Sequence, residues 1–199
     1  FFGVYLVTDK EMPVSAMMER ANLALKKTLQ LPQHLKKIGV YDEKEHQKLE
    51  REKHLEMRME QALKNGEFVP YLQPKYELTH ETIAGAEALV RWVSPEEGMI
   101  FPGEFIPLFE KNGFIVELDL YMFEQVCKMI ESWHKNGYRI IPVSVNMSRG
   151  HFLVPNFFDR YKEILERYDV PKGSIEIELT ESLFLNEIST MTDLVNKIH

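Results

Sequence analysis

The stretch Thr82-Ile83-Ala84-Gly85-Ala86-Glu87-Ala88-Leu89-Val90-Arg91-Trp92 decides the fold. It reads as a strand over Thr82 to Val93. A second strand, Phe68 to Leu78, precedes it across a short polar turn, so the two are expected to be antiparallel neighbours. On strand alternation Glu87, Leu89 and Arg91 share one face. An acid and a guanidinium four residues apart could form a structural ion pair. They could also serve as a metal ligand and a phosphate clamp.

Downstream, strands and helices alternate. Pro102 to Lys111 reads as a short helix. Phe123, Val126, Cys127, Ile130 and Trp133 recur at helical spacing within a longer helix over Glu117 to Lys135, which Asn136-Gly137 ends. Arg139 to Met147 reads as a strand, Asn156 to Arg167 as a helix, Ile175 to Thr180 as a strand, and a last helix begins near Glu187. This order predicts an α/β fold with parallel strands and crossover helices.

Three of these strands end in oxygen-bearing side chains: Glu87, Asn146 in Pro142-Val143-Ser144-Val145-Asn146-Met147-Ser148, and Glu178 in Ile175-Glu176-Ile177-Glu178-Leu179-Thr180. Parallel sheets covered on both faces are nearly all apolar. Carboxylates there are costly unless paired or bound to a metal. Ligands in such folds gather at the C-terminal ends of strands. Glu and Asn oxygens suit a hard cation such as Mg²⁺ or Mn²⁺. Structural hydrogen bonding at polar strand ends is the alternative.

Upstream, residues 42–66 are dominated by Glu, Lys and Arg, with Leu55, Met59, Ala62 and Leu63 forming one narrow apolar stripe. They predict a solvated linker helix stopped by Gly66. Residues 1–41 form a strand, helix, strand pattern: an apolar strand around Phe2 to Val7, a helix over Ser15 to Leu29, and a strand at Ile38 to Tyr41. About forty residues rarely fold alone. The opening Phe1-Phe2-Gly3-Val4 lacks an initiator Met and a signal-peptide pattern, and reads as a strand cut from something longer.

The 199 residues carry 24 Lys and Arg against 31 Asp and Glu, a formal charge of −7. That balance disfavours polymeric nucleic acid as a partner. A small anionic ligand is compatible with it if metal ions or a local Arg supply positive charge. One cysteine excludes an internal disulfide framework and a Cys-rich zinc site. No stretch approaches the ~20 apolar residues of a membrane helix.

Five motifs in order complete the reading: Tyr71-Leu72-Gln73-Pro74, Gly85 to Trp92, Phe105-Ile106-Pro107, Ser144-Val145-Asn146-Met147-Ser148 and Glu178-Leu179-Thr180-Glu181-Ser182. Together they resemble the EAL domain of cyclic di-GMP phosphodiesterases, from about residue 60 onward. Residues 1–41, with Phe2-Gly3-Val4-Tyr5 and Ala21-Asn22-Leu23-Ala24-Leu25-Lys26-Lys27, resemble the C-terminal end of a GGDEF domain, although that family usually has Asp where Asn22 stands. The resemblance implies a modified TIM barrel whose first strand is antiparallel to the rest. The expected division is a GGDEF-like fragment over 1–41, a linker helix over 42–66 and the N-terminal part of an EAL domain over 67–199.

The resemblance also assigns roles. Glu87, Asn146 and Glu178 resemble metal ligands. Arg91 resembles the arginine on a substrate phosphate, and Gln73 a substrate-binding glutamine. Glu181 resembles a glutamate that steadies an active-site loop. The implied reaction is hydrolysis of cyclic di-GMP to linear pGpG with Mg²⁺ or Mn²⁺, in bacterial second-messenger signalling. The family's later Asp-Asp pair, Lys, Glu and Gln do not occur before His199. The barrel is therefore expected to be incomplete here, and this polypeptide alone to be inactive and unstable. The parent is expected to be cytoplasmic or anchored by segments outside this chain, and to dimerise through the EAL domain. The competing readings are an EAL module that binds cyclic di-GMP or a protein without hydrolysis, and an interaction scaffold with no nucleotide site.

The remaining conspicuous residues have plainer readings. His34, His46, His54, His80, His134, His151 and His199 show no ligand spacing and read as surface or structural. Cys127, Trp92, Trp133 and the pairs Met17/Met18 and Met57/Met59 read as packing. Ser144 and Ser148 have no His and Asp arrangement that would make a nucleophile.

Overall fold

The computed structural model describes residues 1–29, 38–79 and 81–179. The chain divides into two compact units, Phe1–His54 and Leu55–His199. The helix expected near Glu187 lies outside the described residues, as do His34, His80 and His199.

The first unit contains β1 (Phe2–Val4), α1 (Val14–Leu29) and β2 (Ile38–Val40), with β1 and β2 paired in parallel and Gly3 opposite Gly39. A Cβ on Gly3 would run into the Ala21 carbonyl of α1, and one on Gly39 into Ala24 and Thr28. Glycine at these matched positions lets the helix lie directly against the strands.

Helix α2 (Glu43–Lys64) begins where Asp42 accepts a hydrogen bond from the Lys44 N–H at 2.9 Å. It stops before Gly66, whose φ of 73° suits a helix end. The division between the units falls inside this helix, earlier than the boundary expected at 66. The reason is its apolar stripe. Leu55 and Ala62 are buried, and Met59 and Leu63 pack against the core of the second unit, so this half of the helix is not solvated all round. Met57 is 78% exposed and Met18 62%, which corrects the packing reading of both. Met57 is two residues from Leu55 and so cannot share its face.

In the second unit β3 (Phe68–Glu77) and β4 (Thr82–Ser94) pair antiparallel, from Phe68 opposite Trp92 to Glu77 opposite Thr82, with a shift between Lys75 and Tyr76. A three-residue strand, β5 (Gly98–Ile100), folds back on β4. It is too short to show a period in sequence. Next come α3 (Pro102–Asn112) and α4 (Ile115–Lys135). Pro102 suits the first turn of α3, and Gly113, at φ 84°, ends it.

Strand β6 (Val143–Met147) is shorter than the span read from Arg139. Pro142 has no N–H for a ladder, and its carbonyl accepts from the Ala86 N–H at 2.9 Å. A 3₁₀ turn at Arg149–Leu153, then α5 (Phe157–Leu165) and β7 (Ile175–Leu179), complete the described part. The strand order is β3-β4-β6-β7, with β4, β6 and β7 parallel. This is the α/β arrangement expected, with the first strand reversed.

The core sits between the sheet and its helices. Phe68, Trp92, Phe105 and Phe109 are fully buried, with ring centroids 4.8–6.0 Å apart. The Trp92 indole N–H donates to the buried Glu67 carboxylate at 2.9 Å. Cys127 is buried in this core, and burial pushes its thiol up to about 12, so it is packing and not a nucleophile. Trp133 lies half-buried against the same core.

Candidate active site

The register of the sheet brings most of the expected site residues together. Gln73 stands opposite Glu87 across β3 and β4, and Asn146 opposite Glu178 across β6 and β7. Glu87 is matched to Ser144, two residues before Asn146 on the same face. The link between the two pairs is direct: Asn146 Nδ2 donates to Glu87 Oε1 at 2.8 Å. Two carboxylates and an amide oxygen thus lie on adjacent strands, Asn146 and Glu178 near the C-terminal ends of β6 and β7 and Glu87 midway along the longer β4. Among the described residues no three His, Cys, Asp or Glu side chains cluster as a metal site. The oxygen set here is mixed, with an Asn supplying one of its three members. Its chemistry suits a hard divalent cation.

Glu87 and Arg91 do not pair with each other, which removes the structural ion pair as an explanation. Arg91 Nη1 donates to the Val90 carbonyl at 2.8 Å, and its guanidinium lies 5.9 Å from the centre of the Tyr71 ring. The rest of its donor fork has no protein acceptor among the described residues. A cavity of about 220 Å³ opens beside it, lined by Arg91, Ile106, Asp119, Asn146 and Ser148 among others. Glu181 lies outside the described residues.

Sequence reasoning missed one member of the site. Lys75 reaches across the sheet from β3 to form an ion pair with Glu178 on β7. The Lys75 hydrogen bond holds the Glu178 carboxyl below its ordinary range. The same bond raises Lys75, with further help from the charges of Glu176 and Glu87. The ammonium offsets part of the negative charge gathered here. A signal was available, because Lys75 is two residues from Gln73 and alternation puts both on one face. Ser144 is fully buried and lies 3.5 Å from the Ala86 carbonyl, in keeping with a structural role. His151 is also fully buried and structural, against Asp119 at 3.1 Å.

Residues 56–199 match the family model described as the EAL domain. Among curated proteins, the chain is 32% identical over 134 residues to signaling protein YkoW of Bacillus subtilis, covering 67% of this chain and 17% of that protein. It is 31% identical over 129 residues to the bifunctional diguanylate cyclase/cyclic di-GMP phosphodiesterase MucR of Pseudomonas aeruginosa, covering 65% of this chain and 19% of that protein. A solved structure described as the PaMucR phosphodiesterase in complex with c-di-GMP superposes with a TM-score of 0.67 and 28% identity, over 73% of this chain and 59% of that one. The chain belongs to the EAL domain family. It spans less than a fifth of the length of either curated relative.

Proposed function

We propose that the protein carrying this chain is a metal-dependent phosphodiesterase that hydrolyses one phosphodiester bond of cyclic di-GMP to give linear pGpG. The observation that supports this most is the hydrogen bond joining Asn146 to Glu87, with Glu178 opposite Asn146 across β6 and β7 and with Asn146 and Arg91 lining one cavity. Relatives and a solved neighbour named for cyclic di-GMP phosphodiesterase activity support the same reading.

Glu87, Asn146 and Glu178 would hold Mg²⁺ or Mn²⁺. Bound there, such an ion lowers the pKa of a water and offsets charge on the scissile phosphate. Arg91 supplies a charge-assisted contact to the substrate phosphate, which fixes the diester relative to the sheet. Gln73, opposite Glu87, offers an amide to the ligand. Lys75, paired with Glu178, adds to the positive field that an acidic chain needs around an anionic dinucleotide. Glu181 is assigned, from the family resemblance alone, the role of steadying an active-site loop.

In this proposal residues 67–199 form the first part of a modified TIM barrel, residues 42–66 a linker, and residues 1–41 the end of a GGDEF-like domain. The parent acts in the cytoplasm and dimerises through its EAL domain. Among the described residues no helix is long and apolar enough to cross a membrane.

The test is to incubate the full-length protein with cyclic di-GMP and Mn²⁺ and separate the nucleotides by ion exchange. Linear pGpG that forms with Mn²⁺ and not with EDTA is the expected result. Binding without turnover would favour the receptor reading instead.

A further inference from the structure

We infer that Asp119, near the N-terminal end of α4, is the positioning residue for Asn146: its buried carboxylate holds the turn after β6 and so fixes where the Asn146 amide is presented. The inference rests on the phosphodiesterase reading above.

Strand β6 is held unevenly. Its pairing with β4 ends at Val145 opposite Ala88, whereas its pairing with β7 runs on to Met147. From Asn146 onward the β4 side has no ladder to hold it. The Ser148 N–H, two residues past Asn146, donates instead to Asp119 Oδ2 at 2.8 Å.

The same carboxylate oxygen lies 3.1 Å from His151 Nε2, on the 3₁₀ turn that follows. A carboxylate only accepts, so the hydrogen belongs on Nε2. The Tyr161 hydroxyl of α5 lies 3.1 Å from that nitrogen. His151 is wholly buried, with its ring centroid 5.2 Å from Tyr161 and 5.9 Å from Phe157. Glu117 and Arg160 join α4 to α5 by two parallel bonds of 2.9 Å. The turn carrying Ser148 and His151 is therefore held from α4 by Asp119 and from α5 by Tyr161.

A buried carboxylate is costly unless its acceptor capacity is used. Asp119 is 9% exposed and directs that capacity to the turn just beyond Asn146. Groups that orient a metal-holding residue commonly matter 10–100-fold for metal affinity, far more than a remote packing contact.

The test compares wild type with Asp119→Ala and Asp119→Asn in the full-length protein. Mn²⁺ binding is read by calorimetry without substrate, and exchange of the Ser148 amide by hydrogen–deuterium mass spectrometry. The alanine variant is expected to bind Mn²⁺ about 10–100-fold more weakly and to lose Ser148 protection. The asparagine variant keeps an oxygen for the Ser148 N–H and is expected to recover most of both. A lowered melting temperature with unchanged Mn²⁺ affinity would make Asp119 merely structural and overturn the inference.

If Asp119→Ala does not fold, His151→Gln and His151→Leu carry the test. Glutamine can still donate to Asp119 and should keep the affinity, whereas leucine should lower it. Equal affinities overturn the inference. A wild-type protein that binds no Mn²⁺ and hydrolyses no cyclic di-GMP overturns the phosphodiesterase reading and this inference with it. Wild-type binding and turnover with unaltered variants overturns this inference alone.

Discussion

Asn146 Nδ2 donates to Glu87 Oε1 at 2.8 Å, tying β6 to β4 just past Val145, the last β6 residue of their ladder. The bond fixes the orientation of the amide. With Nδ2 committed to a carboxylate, Oδ1 is the atom left for a cation. Replacing this donor by an acceptor should therefore be harmful without a metal. In Asn146→Asp two carboxylates would face each other, which is destabilising by order 1–3 kcal/mol at moderate screening. The full-length variant should melt below wild type in EDTA, and Mn²⁺ should raise its melting temperature more than that of wild type. Equal melting in EDTA would contradict the contact.

Lys75 is paired with Glu178, and in the proposed site it would compete with a metal for that carboxylate. Lys75 and Glu178 are about two-fifths exposed, so the pair is worth at most ~1 kcal/mol after solvent screening. Lys75→Met should tighten Mn²⁺ binding by up to about fivefold, the equivalent of that energy. Calorimetry on the full-length protein decides this, and weaker binding would place Lys75 in a supporting role.

Gly85 is where β4 approaches the chain entering β6 most closely. A Cβ there would stand 2.9 Å from the Pro142 carbonyl oxygen, a backbone atom that cannot swing away. Gly85→Ala should destabilise the protein by about 1–3 kcal/mol and displace Glu87 two residues on. Denaturant unfolding measures the first effect, and loss of turnover beyond the loss of folded protein measures the second.

The Glu117–Arg160 bridge between α4 and α5 carries a pH signature. Its hydrogen bond with Arg160 holds the Glu117 carboxyl below its ordinary value of 4.5. A carboxylate lowered on folding adds stability that is present above that ordinary value and is lost as pH falls through the folded one. Both side chains are well exposed, so the contribution is at most ~0.5 kcal/mol. Arg160→Ala should lower stability slightly at pH 7 and leave it unchanged well below the folded value, as read by urea unfolding at both pH values.

The antiparallel start of the sheet was legible because only a short polar turn separates Phe68–Leu78 from Thr82–Val93. Glu87, Asn146 and Glu178 stood out because polar side chains interrupt strands that should be apolar on both faces. The register then placed them together. The pairings of Lys75 with Glu178 and of Asp119 with His151 were not legible, since these contacts join residues far apart in sequence; alternation puts Lys75 on the face of Gln73 but does not name its partner. The division of α2 was also hidden. Four apolar residues in a charged helix look the same whether they line a linker or seal a core, and only the burial of Leu55 and Ala62 distinguishes the two.

The central claim is that Glu87 holds the metal that drives hydrolysis. Turnover of cyclic di-GMP by full-length wild type and Glu87→Ala, in saturating Mn²⁺ and at matched folded concentration, tests it most directly. Turnover by Glu87→Ala is expected to fall more than about 100-fold, beyond what loss of an outer-shell contact produces. Turnover by Glu87→Ala close to that of wild type would contradict it.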